Sequence, residues 1–318
     1  MQNFKRLRDK INYYRWLKPR ILSYDKFSYK SPNIIFFPIN IIYLGLIYCI
    51  EKIYEFFFVK FFYFFITKIN FIKNYTSNKL ILNYSKKNKS CYILGNGPSL
   101  KNINLNKLNK KITFTVNHFE TNKYPNFQST FHVALDGDLF EGTLELTRKK
   151  INDSKYKKVF IPSNQKDKFK KDNSNIQFFD LLPYQIDEYL PGKITLNNGL
   201  PGSLNVIPFT IVLAMSLGFE KIYLLGADQD QYLGGGHFIS EKLYFKNEPK
   251  KVMNFYLKKK DRYKLCTGID NTYGLWSTFR NLLAHSKIFE YSIKNKIKIY
   301  NCSKIGILDI YPHKKINF

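Results

Sequence analysis

The run Cys91-Tyr92-Ile93-Leu94-Gly95-Asn96-Gly97-Pro98-Ser99-Leu100 changes character in its middle. Strand-forming apolar residues stop abruptly at Gly-Asn-Gly-Pro-Ser, which reads as a strand ending in a tight turn that starts a helix. Glycine on both sides of Asn96 allows a sharp turn and close approach to the backbone. Pro98 suits a first helical turn, and Ser99 stands where a hydroxyl can cap it. Backbone N–H groups exposed at such a junction attract phosphate or another anion. The spacing is neither GxGxxG nor GxxxxGK[ST], so a plain turn without a ligand accounts for it as well.

Outward from this turn the chain alternates. Strands are predicted at 91–95, 112–116, 130–135, 158–162, 176–180, 221–225 and 297–300. A helix or turn is predicted at 99–109 and helices at 139–151, about 204–217 and 273–295, with Gly218 as a C-terminal cap. A lysine-rich loop at 164–175, a loop through Pro183 and Pro191, and a flexible insert after Asp228 lie between them. Such alternation predicts an α/β, Rossmann-like domain over 90–318, with a doubly wound, mostly parallel sheet. Ligands bind these sheets at the carboxyl ends of the strands. Asn96, Asn117, Asp136 and Asp228 each follow a predicted strand.

The 318 residues suffice for one large domain and an appendage. Residues 1–30 hold nine Lys/Arg against Asp9 and Asp25. No short apolar core with a small-residue cleavage site follows, so a cleaved signal peptide is not expected. Residues 31–50 carry no charge, but Pro32 and Pro38 weaken them as a spanning helix. In 51–73, Glu51, Lys52, Glu55, Lys60 and Lys68 interrupt a Phe/Tyr/Ile run, an amphipathic pattern suited to a membrane interface. Residues 1–73 are therefore read as a helical membrane-associating segment and 74–89 as a linker; a pair of core helices is the other reading. A basic N-terminus stays cytoplasmic, so a single span would export the later domain. A peripheral or monotopic placement on the cytoplasmic face of the inner membrane keeps a nucleotide site in the cytoplasm.

The net charge of +27 favours polyanionic partners such as an anionic membrane surface or a phosphorylated substrate. No nucleic-acid motif is present, so nucleic acid is not an expected partner. The 29 Phe and 24 Tyr, with abundant Asn, Lys and Ile, match the output of an AT-rich genome. The four cysteines, Cys49, Cys91, Cys266 and Cys302, lack CxxC or His-paired spacing, which argues against a zinc module or disulfide framework.

Several residues have chemistry to offer. Gly95, Asn96, Gly97 and Ser99 could hold a nucleotide phosphate or ribose. Asn117 either reads a base or sugar edge or caps its strand. Asp136-Gly137-Asp138 is a DxD that fits a divalent metal on a diphosphate, or an ordinary turn. Asp228, in Asp228-Gln229-Asp230, directly follows an apolar strand. His237, behind Gly234-Gly235-Gly236, either swings into a site as general base or sits on a surface loop. His285 falls inside a helix and reads as structural; Trp276, Phe279 and Leu283 share one helix face and read as core.

Tyr92 through Leu100 closely resembles the first motif of the bacterial lipooligosaccharide sialyltransferases. Val116-Asn117-His118-Phe119 resembles their strand-end Cys-Asn-Gln-Phe. Gly202-Ser203 through Leu224, Gly226-Ala227-Asp228 and Ile297-Lys298-Ile299-Tyr300 resemble later segments in the same order. The likeness covers about 90–312 and has no counterpart for 1–89. The same skeleton is similar to the motility-accessory-factor and 6-hydroxymethylpterin diphosphokinase-like proteins, which the end Leu308-Asp309-Ile310-Tyr311-Pro312 resembles more.

The resemblance implies an inverting glycosyltransferase. It would move sialic acid or a related nonulosonic acid from a CMP-sugar to a lipid-linked or surface glycan in lipopolysaccharide biosynthesis, with no metal and no bound cofactor. The matching positions place Gly95, Asn96, Asn117 and Ser203 around CMP, with Asp136 at the neighbouring strand end. Two family features are missing. The catalytic-histidine position falls near Phe279, and Asn197, Asn198 and Gly199 stand where the family has an arginine. His237, with Asp228, is the substitute base. The alternatives are an ATP- and Mg²⁺-dependent pterin-type diphosphokinase, which would use Asp136 and Asp138 for the metal, and a non-enzymatic basic membrane-binding protein.

Overall fold

The computed structural model describes residues 89–119, 126–141, 144–153, 156–169, 175–229, 270–303 and 306–316, all within the compact unit Ile66–Phe318. The expected membrane-associating segment, the linker up to residue 88, and the insert that carries Asp230 and His237 lie outside the described residues.

Nine strands are described: β1 Ser90–Leu94, β2 Thr113–Val116, β3 Phe131–Val133, β4 Lys158–Pro162, β5 Ile176–Phe179, β6 Leu181–Gln185, β7 Leu200–Gly202, β8 Lys221–Leu225 and β9 Lys298–Asn301. Seven of them form one sheet in the order β5-β4-β3-β2-β1-β8-β9. Every neighbouring pair in it is parallel. The order runs outward from β1 in one direction, then reverses, so β8 lies on the other side of β1. That reversal is the switch point of a doubly wound sheet, the place where such sheets commonly bind ligands.

Alternate residues of each strand feed opposite faces. Cys91 and Ile93 of β1, Phe114 of β2, Phe131 of β3 and Ile222 and Leu224 of β8 point into the main core. That face is covered by α3 (Val206–Ser216) and α4 (Asp270–Lys294). α3 is apolar all round and buried along nearly its whole length, as befits a helix wedged inside a core. Asn205 caps it, its Oδ1 accepting the Ile207 N–H at 2.8 Å. Gly218, at φ 86°, ends it, with Gly218 N–H donating to Met215 O at 2.9 Å.

The opposite face holds two smaller clusters. Leu94 and Leu225 pack with Leu100, Leu105 and Leu108 from the β1–β2 connection. Val159 and Ile161 pack with Leu139 and Phe140 of α1 (Asp138–Glu141) and Ile151 of α2 (Leu144–Asp153).

The helix or turn expected over 99–109 is two 3-10 turns, Pro98–Asn102 and Leu105–Leu108. Two expectations change. The helix over 139–151 is split into α1 and α2. The loop through Pro183 contains β6, which pairs with β7 in a second, two-stranded parallel sheet. Its register shifts between Leu182 and Gln185, around the proline that has no N–H for a regular ladder.

Candidate functional site

The Gly95–Ser99 turn and the end of β8 lock into each other at the switch point. Gly95 N–H donates to Leu225 O and Gly97 N–H to Gly226 O, both at 2.8 Å. Asp228 lies beneath them, 1% exposed, and both its carboxylate oxygens face Ser99. Oδ2 accepts the Ser99 N–H at 2.8 Å and Oδ1 the Ser99 hydroxyl at 2.5 Å. The glycines are required by this proximity. A Cβ on Gly97 would sit 2.5 Å from Asp228 Oδ2 and 2.6 Å from Gly226 O. Gly226 itself takes φ 62° to leave the strand.

This geometry revises the anion cradle expected from the sequence. The N–H groups of Gly95, Gly97 and Ser99 bond to the β8 end, and the following 3-10 turn of five residues offers little aligned dipole. What the turn presents instead is the Asn96 side chain, whose Oδ1 is enclosed without a hydrogen-bond partner. An enclosed acceptor left unmade costs about 1–3 kcal/mol, so it points to a bound donor.

Asn117 and Asp136 follow strands β2 and β3 of the same sheet. Asn117 takes φ 45°, and its Oδ1 accepts from Leu135 N–H at 3.0 Å and Asp136 N–H at 3.3 Å, tying the ends of β2 and β3 together. Asp136 is exposed just beyond β3. Ser203 is half-buried ahead of α3, its Oγ accepting the Asn205 N–H at 3.4 Å. Among the described residues no group of three or more His, Cys, Asp or Glu could hold a metal ion. No described helix is long and apolar enough to cross a membrane.

Two of the four described histidines are buried in the fold. His132 is buried in β3 and stacks on Tyr156, with ring centroids 4.8 Å apart. His285 is fully buried on α4, its Nδ1 2.9 Å from the Tyr311 hydroxyl. Burial lowers its pKa to about 3, so it is neutral at any ordinary pH. Phe279, the position counted back to for a catalytic histidine, is 64% exposed on α4, and Leu283 is exposed as well, so these two are not the core residues expected from their spacing.

Two groups were not singled out from the sequence. Arg280 of α4 donates to Asp187 through Nε and lies 3.4 Å from Glu188 through Nη2, clamping α4 onto the turn after β6. One residue further along, Asn281 donates from Nδ2 to Gln229 Oε1, the same oxygen that Asn205 Nδ2 approaches at 3.5 Å. A single asparagine on an amphipathic helix gives no sequence signal; the three amides meet only when α4 docks.

Fold and site together define an α/β protein with a doubly wound parallel sheet and a cluster of polar side chains at the switch-point strand ends. No family model and no curated protein matches the chain. Among solved structures, the sialyltransferase CST-II in complex with a trisaccharide acceptor and CMP is similar at 16% identity and a TM-score of 0.43, covering 72% of this chain and 88% of that one.

Proposed function

We propose that the protein is an inverting glycosyltransferase that binds a CMP-sugar at the switch point and passes a nonulosonic acid to a lipid-linked or surface glycan. The observation that carries this reading is the Asn96 carboxamide. It stands between two glycines at the end of β1, with an enclosed oxygen that has no protein partner. A ribose hydroxyl or the exocyclic amine of a base supplies the donor it lacks. The sequence likeness of Tyr92–Leu100 to a sialyltransferase motif supports the choice of CMP.

In this reading the chain's own groups divide the work. Asp228 is a positioning residue, holding Ser99 and through it the turn that presents Asn96. Asn117 fixes the next strand end, with Asp136 and Ser203 as further donor-binding residues. The acceptor hydroxyl attacks the anomeric carbon as the bond to the CMP phosphate breaks, and His237 takes the hydroxyl proton. Residues 1–73, basic and then apolar, would hold the enzyme on the cytoplasmic face of the inner membrane beside a lipid-borne acceptor.

Thermal shift on the full-length protein with CMP, UDP, GDP and ATP, each with and without Mg²⁺, tests the reading. A shift with CMP that ignores Mg²⁺ is expected. Asn96→Ala should weaken CMP about tenfold, the loss of one buried hydrogen bond, without lowering the unliganded melting temperature. A shift that needs ATP and Mg²⁺ would replace this reading with a diphosphokinase.

A further inference from the structure

We infer that Asn281, with Gln229 and Asn205, forms a subsite for the hydroxyl or amide N–H groups of the glycosyl moiety, distinct from the groups that hold the nucleotide. This rests on the glycosyltransferase reading above.

The orientation of all three amides follows from one backbone bond. The Ile207 N–H at the start of α3 donates to Asn205 Oδ1 at 2.8 Å, so Asn205 turns its Nδ2 outward. That Nδ2 faces Gln229, which must therefore present Oε1. Asn281 meets the same oxygen and must donate Nδ2 to it. Its own Oδ1 is thereby turned away from the cluster, and there it is enclosed with no partner. Asn281 as a whole is only 6% exposed. The sequence invests an amide in a buried helix position and leaves half of it unsatisfied, which costs stability unless a ligand completes it.

The chemistry of the orphan atom selects the ligand. A carboxamide oxygen accepts and cannot donate, so it repels phosphate and carboxylate and takes O–H or N–H. The cluster is made of neutral amides, which suits a neutral polyol or acylamino group rather than an ion. Its position fits the far end of a sugar nucleotide. Gln229 directly follows Asp228, whose carboxylate sits under the Gly95–Ser99 turn. A Cβ on Gly95 would meet Ile207 Cδ1 at 3.2 Å, two residues from the Asn205 cap. Asn96 Oδ1 and Asn281 Oδ1 are two of the enclosed unpartnered side-chain atoms among the described residues, and both belong to residues tied to the segment after β8, Asn96 through its neighbour Gly97 on Gly226 and Asn281 through Gln229.

The test is calorimetric titration of the full-length protein with CMP and with CMP-N-acetylneuraminic acid, repeated with UDP/UDP-N-acetylglucosamine and GDP/GDP-mannose. Wild-type protein should bind one sugar nucleotide more tightly than its bare nucleotide. Asn281→Leu should remove that preference, weakening the sugar nucleotide tenfold or more while the bare nucleotide changes less than twofold. Asn281→Asp, which keeps an oxygen there, should retain part of the preference. Asn281→Ala removes the same oxygen without bulk and replaces Asn281→Leu should that variant fail to fold. An unchanged preference in the Leu or Ala variant, or no preference in wild type, overturns the subsite and leaves a buried water as its occupant. Absence of binding by every nucleotide and sugar nucleotide overturns the underlying reading instead.

Discussion

Asp228 illustrates how a residue's role depends on what its atoms face. As a carboxylate after an apolar strand it suggests chemistry. Buried against the Ser99 N–H and hydroxyl, it is a clamp between β1 and β8. Hydrogen bonds to a charged partner contribute about 1.5–3 kcal/mol each. Ser99→Ala keeps the backbone bond and loses the hydroxyl one, so it should destabilise the protein by about 2 kcal/mol in urea titration. Nucleotide affinity should fall less than in Asn96→Ala, because Ser99 acts on the ligand only through the turn. A stability equal to wild type would mean that the hydroxyl bond contributes nothing net. The residue types at this site were legible in the sequence as Gly-Asn-Gly and Gly-Ala-Asp. Which of them are spent on each other, and that Asn96 alone is left open, was not.

Among elements, α4 is held by a charge pair as well as by apolar packing. The Asp187 side chain is 5% exposed and that of Arg280 13%. A buried pair adds little over an apolar substitute, but removing one partner strands the other charge. Arg280→Ala should therefore cost about 3 kcal/mol, and Arg280→Ala with Asp187→Asn should recover a large part of it. Urea titration of both singles and the double gives the coupling directly; additive losses would show that the pair is not a unit. The helix itself was readable from its length and apolar spacing. Its partner was not, because Asp187 and Arg280 are 93 residues apart and nothing local links them. β6 escaped for a different reason: Pro183 argues against a strand, and here the pairing simply shifts around it.

At the scale of the whole molecule, the segment 306–316 closes over the carboxyl edge of the sheet. Ile307 N–H donates to Asp228 O at 2.9 Å, and Lys314 N–H to Asn301 O at 2.9 Å. Tyr311, fully buried, meets His285. Burial depresses the His285 pKa from 6.5 to about 3, so the unfolded chain binds a proton there that the folded protein refuses. Stability from this group is complete above pH 6.5 and declines as pH falls from 6.5 toward 3. Between pH 7.5 and 5 the decline should be about 2 kcal/mol. Denaturant titrations at the two pH values should show a loss smaller by that amount in His285→Gln than in wild type. Equal losses would mean that the buried imidazole titrates normally.

Sequence alone determined the α/β alternation, because strand and helix periodicity, Gly218 and the Gly-Asn-Gly punctuation are local properties of the chain. It also placed Asn96, Asn117, Asp136 and Asp228 at strand ends. Only the tertiary structure decided that β8 inserts beside β1, since strand order is set by which faces bury together. That choice brings Gly226 against Gly95, consumes the N–H groups of Gly95, Gly97 and Ser99, and brings Asn205 and Asn281 onto the one Gln229 side-chain oxygen.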